Sequence, residues 1–197
     1  MLFKFGVSKY LMNKKSKNKD DLLFYIGIFA LLLLIYVISF ISFGSILQRL
    51  LILFGAFLLF VVATFGKQKV LQALELVVAI GSIVSFLSLT ALYALALMLF
   101  VAIIMVIYLY SISHYRKEPI GLMGSFGFVL LALGLAVNNG ANTLIASSAL
   151  GFGALTIAIY SGGAFLLYKN RIQLIFVVLN IAFAINPFIL LFHALGI

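Results

Sequence analysis

Cysteine and tryptophan are absent from the 197 residues, proline occurs twice, and charged side chains make up only 9%. Without cysteine there can be no disulfide, no thiolate nucleophile and no thiolate metal site. Without tryptophan, tyrosine has to supply any aromatic belt at a membrane boundary. Four acidic residues and two histidines leave little material for acid–base or metal chemistry. What is abundant is apolar: 66% of residues, where a soluble domain has about half or fewer and about 25% charge. A chain of this length has too much surface for its volume to hide that much apolar area from water. Lipid is therefore the expected solvent, and the expected fold class is an all-α, polytopic membrane helix bundle.

A span needs about 20 apolar residues. On that rule the sequence predicts helices near 22–43, 46–65, 70–88, 92–111, 119–137, 144–168 and 171–194. The run from 70 to 111 is nearly unbroken. As one helix it would be roughly 60 Å long, about twice the hydrocarbon thickness, so it has to fold back near Ser88. Residues 22–197 then form a single seven-helix transmembrane domain behind a basic tail, 1–21, which carries six Lys. Phe3, Val7, Tyr10 and Leu11 fall on one face of that tail at helical spacing, which suits either an interfacial helix or a solvated basic segment.

The net charge is +9. Seven crossings put twelve of the thirteen basic residues on the side of the N-terminus, with Arg49 apart. The asymmetry predicts a cytoplasmic N-terminus, an outside C-terminus and residence in the cell membrane. The expected partners are the bilayer itself, anionic headgroups at the inner face and other integral membrane subunits, not nucleic acid. The Lys-Gln-Lys-Val and Lys-Asn-Arg-Ile turns at 67–70 and 169–172, and Gly-Ala-Phe-Leu-Leu at 55–59 and 163–167, suggest a parallel repeat of helices one to three and five to seven.

Small residues concentrate between Pro119 and Tyr168. Helices in lipid associate by close backbone approach at such residues. Gly127, Gly134, Gly151, Ala158 and Gly162 are the expected packing positions, which would place helices five and six inside and the bulkier helices one and two at the periphery.

Few side chains could carry chemistry. Glu75 is the sole acidic residue within a predicted span. A proton relay would need further titratable groups deeper in the bundle, and there are none, so an ion pair with Lys67, Lys69 or Arg171 is expected. Asn180, Asn186 and Pro187 interrupt helix seven; Pro187 leaves a carbonyl near Phe183 without its donor. They could line a solute path or simply pack, with Gln72, Gln173, Thr156 and Tyr160 as polar partners. His114 and His193 fall on opposite faces and cannot share a metal. No Gly-x-Ser-x-Gly, His-Glu-x-x-His or phosphate-loop pattern occurs. The sequence thus predicts a non-catalytic protein with no cofactor and no metal: a subunit or scaffold of a membrane complex, with a small permease or channel along helices five to seven as the alternative.

Overall fold

The protein is described by a computed structural model covering residues 21–37, 40–41, 45–87, 89–111, 120–137 and 143–196. The basic tail, the 112–119 connection with Arg116, Lys117 and His114, and the 138–142 turn lie outside the described residues. Among those described the chain is all-helical, with seven helices: α1 (Asp21–Val37), α2 (Ile46–Phe65), α3 (Lys69–Val84), α4 (Ala91–Ser111), α5 (Gly121–Val137), α6 (Thr143–Tyr168) and α7 (Arg171–Leu195). Four of them, α2, α4, α6 and α7, are long and apolar enough to cross a membrane; α1 and α5 are apolar but shorter. The long apolar run breaks between Val84 and Ala91, and α3 packs back against α4.

The helix ends follow from local chemistry. Ser45 starts α2 by accepting the backbone N–H of Gln48 at 3.2 Å, and Asn170 starts α7 by accepting that of Ile172 at 3.0 Å. Such caps satisfy donors that the first turn leaves orphaned. At the end of α2, Gln68 N–H donates to the Ala63 carbonyl and Lys67 N–H to that of Thr64, both across a left-handed Lys67 with φ 58°. This is the six-to-one and five-to-two pattern that closes many helices. Glycine usually holds the left-handed position, yet here Gly66 lies one residue before it. The reason is a close approach: a Cβ on Gly66 would lie 2.5 Å from Ile172 Cδ1 and 2.9 Å from the Val62 carbonyl. Lys169, with φ 54°, ends α6 by the simpler left-handed cap, its N–H donating to the Phe165 carbonyl at 2.8 Å.

The tightest packing joins α5 and α6. A Cβ on Gly127 would sit 2.8 Å from Ile157, one on Gly134 2.5 Å from Leu150, and one on Gly153 2.8 Å from the Leu131 backbone nitrogen. The contacts run regularly along an antiparallel seam, as small-residue packing in lipid requires. Of the expected packing positions, Gly127 and Gly134 lie in this seam. Gly151 faces the Phe188 ring of α7, and Ala158 is buried. Gly162 is different, since a Cβ there would meet only Val177, at 3.9 Å. Gly124 and Gly153 complete the seam instead.

Half of the apolar window of α6 (50%) is buried, against 22% for α4. On α4 only Ala94, Met98, Ala102 and Leu109 are buried, while Phe100, Ile103 and Ile107 face outward. A surface this apolar suits lipid rather than water.

Candidate functional site

The polar residues scattered along the sequence converge in the structure. A cavity of about 190 Å³ lies between α3 and α7, closed laterally by α1, α2, α5 and α6. From α3 it takes Glu75, Val78, Ser82 and Ser85, spaced three, four and three residues apart, which is one helical face. From α7 come Asn180, Phe183, Asn186 and Pro187. Helix α2 adds Gln48 and Arg49, and α6 adds Ser147. Leu131 and Leu135 of α5, Leu150 of α6 and Ile52 of α2 supply the apolar wall.

The register between α3 and α7 is set at their beginnings. Gln173 Nε2 donates to Gln68 Oε1 at 2.5 Å, while Gln68 Nε2 donates to the Gly66 carbonyl at 3.2 Å. Glu75 and Asn180 each lie seven residues, two turns, beyond that bridge in their own helices. This places the carboxyl and the amide at one level. Ser85 lies ten residues beyond Glu75, about 15 Å along the axis. There Arg49 Nη1 donates to the Ser85 carbonyl at the end of α3, where helix carbonyls carry partial negative charge.

Glu75 is 3% exposed and has neither an ion pair nor a hydrogen bond among the described residues. Lys67, Lys69 and Arg171 are exposed, and Lys69 Nζ donates to Gln72 Oε1 at 3.3 Å. None of the three reaches the carboxylate. The helix faces explain this: Lys69 and Gln72 point outward, whereas Glu75 lies on the inward face with Leu71 and Val78. Axial depth, which sequence supplies, did not fix the azimuth.

Asn180, Asn186 and Pro187 share the cavity wall. Gln173 is nearby but belongs to the closed end below it. Gln72 bonds to Thr64 Oγ1 on the exposed side at 2.9 Å. Thr156 donates to its own helix, at the Phe152 carbonyl, at 2.7 Å. Tyr160 packs over Gly124. These three do not join the site. Sequence reasoning missed Gln48, Arg49, Ser82, Ser85 and Ser147. The signal for two of them was present, since Glu75, Ser82 and Ser85 recur on one face of α3. Nothing in the sequence marks Arg49 as facing inward.

Among the described residues no group of three His, Asp or Glu side chains is placed to hold a metal. Buried Gln173 Oε1 and Ser161 Oγ have no hydrogen-bond partner among the described residues. No family model, curated protein or solved structure matches the chain, so what the cavity does has to be read from its wall.

Proposed function

We propose that the protein is a small multi-pass permease of the cell membrane, holding a polar solute in the central cavity and doing no covalent chemistry. In this reading all seven helices cross the bilayer. The N-terminus and the cationic turns around Lys67, Lys117 and Lys169 lie on the cytoplasmic side beside anionic headgroups, and the C-terminus lies outside.

One observation carries the reading. Two amides, a carboxyl and several hydroxyls from α3, α6 and α7 surround one void in a largely apolar bundle. An ionisable group in a membrane interior is costly and marks a substrate or ion path by default, and Glu75 lies on this wall. The scaffold expectation drew on a near absence of buried charge and on bulky outer helices; Glu75 buried on the cavity wall, with half-buried Arg49 on the same wall, weighs against the first of these.

The test is flux through the purified protein in liposomes. Small polar solutes should pass, and Asn186→Leu should slow them about tenfold or more, an effect of about 1.4 kcal/mol, with the fold retained. Tight vesicles, together with a second integral protein co-purifying in fixed stoichiometry, would establish the subunit role instead.

A further inference from the structure

We infer that the solute is a small organic cation, a primary ammonium or guanidinium bearing a short alkyl group, with Glu75 as its counter-ion. This rests on the permease reading and names the chemical class that the cavity would carry.

The first ground is the set of acceptors that the wall's polar groups turn to the void, since Asn180, Ser82 and Ser85 each spend a donor on the helix backbone. Asn180 Nδ2 donates one of its two protons to the Phe176 carbonyl at 2.8 Å, and Oδ1 remains an acceptor. Ser82 Oγ donates to the Val78 carbonyl at 2.9 Å, and Ser85 Oγ to the Ser82 carbonyl at 2.6 Å. A hydroxyl has one proton, so each offers only lone pairs to the void. Pro187 lacks an N–H, and the Phe183 carbonyl one turn below it therefore has no helical donor. The cavity wall thus offers four acceptors besides the Glu75 carboxyl: Asn180 Oδ1, Ser82 Oγ, Ser85 Oγ and the Phe183 carbonyl.

The second ground is the unequal fate of the two charges. Arg49 is engaged by the Ser85 carbonyl. Glu75 has no partner among the described residues, although it is 97% buried, the complement of its 3% exposure. An ionised carboxylate so placed requires a cation. Arg49 and Glu75 are also about 15 Å apart along the axis. A zwitterion with its charges on neighbouring carbons cannot touch both, and an anion placed beside Arg49 would leave Glu75 without a counter-ion.

The third ground separates an organic from an inorganic cation. Most of the polar groups lie on α3 and α7, with Gln48 and Arg49 from α2 and Ser147 from α6, while Leu131, Leu135 and Leu150 supply an apolar wall from α5 and α6. A bare metal ion would leave that side unsatisfied, whereas an alkyl group packs on it. The volume of about 190 Å³ is a little larger than the roughly 150 Å³ cavity that admits benzene, so it admits a butylammonium-sized molecule.

The experiment uses the absence of cysteine. Val78 lines the cavity one turn from Glu75, and Val78→Cys provides a unique thiol there. In the full-length protein in bilayer nanodiscs, neutral methyl methanethiosulfonate should modify it. The aminoethyl reagent should react about tenfold or more faster than the sulfonatoethyl reagent. Butylammonium chloride should protect the thiol; sodium chloride and sodium butyrate at equal ionic strength should not. Glu75→Gln, the isosteric neutral change, should abolish both the rate preference and the protection, while Glu75→Asp should keep the preference. Equal rates for the two charged reagents, protection by butyrate or by sodium alone, or full protection surviving in Glu75→Gln would overturn the cation assignment and leave the permease reading standing. A thiol that even the neutral reagent cannot reach would remove the permease reading itself.

Discussion

Two glycines on α6, nine residues apart in sequence, should respond in opposite ways to the same substitution. At Gly153 an added Cβ meets backbone on the facing helix: Leu131 N at 2.8 Å and the Gly127 carbonyl oxygen at 3.0 Å. Backbone cannot swing aside as a side chain can, so α5 and α6 must separate along the seam. Overpacking of this kind costs about 1–3 kcal/mol. At Gly162 the nearest atom is Val177 Cγ2, at 3.9 Å, an ordinary contact. Alanine there gains helix propensity of up to about 1 kcal/mol and loses nothing. The same propensity gain acts at Gly153, so the overpacking term sets the gap between the two variants, which we expect to be about 1–3 kcal/mol with Gly153→Ala the less stable. The assay is unfolding by sodium dodecyl sulfate in mixed micelles, followed by far-ultraviolet circular dichroism. Two variants that agree within about 0.5 kcal/mol, the usual scatter for independent sites, would refute the seam, as would Gly162→Ala proving the worse.

Two further predictions concern the closed end and the crossing pattern. Gln173→Leu removes the hydrogen bond to Gln68 that joins the two hairpin turns, and we expect it to lower unfolding stability by about 0.6–1.7 kcal/mol in the same micelles; an unchanged midpoint would show that the bridge holds nothing. Lys67→Cys and Lys169→Cys in sealed vesicles should be labelled by a membrane-impermeant maleimide from one side, and Ser45→Cys from the other. Any other pattern removes the seven-crossing arrangement and the proposed orientation with it.

The helices themselves were legible because hydrocarbon thickness limits their length and polar or glycine-bearing turns separate them. The observed α2, α6 and α7 begin and end within a residue or so of the expected limits. The fold-back near Ser88 followed from length alone. What the sequence could not supply was rotation about each helix axis. In soluble proteins that angle is read from alternation of polar and apolar faces, but a helix apolar on every side carries no such mark. Gly162 and Gly153 are the same residue type on one helix, yet only Gly153 meets a neighbouring backbone. Glu75 could be assigned a depth but not a direction, so the nearby lysines seemed its natural partners. Arg49 stood outside the charge pattern in sequence. Its inward orientation follows from the end of α3 arriving beside it, a long-range contact that no local pattern encodes.

The left-handed lysines at the ends of α2 and α6 bear on how such a chain is made. At both positions glycine would adopt the backbone freely, whereas a side chain with a Cβ is disfavoured by about 1–2 kcal/mol. The folded bundle therefore tolerates strain at Lys67 and Lys169, offset at Lys169 by its ammonium lying 5.9 Å from the Phe165 ring centroid. During insertion, before any helix has met a neighbour, the positive charge of each nascent turn is what holds it back from translocation. In the proposed orientation these two residues serve biogenesis at the expense of the finished fold, and glycine at either site would give a sturdier protein that enters the bilayer less faithfully.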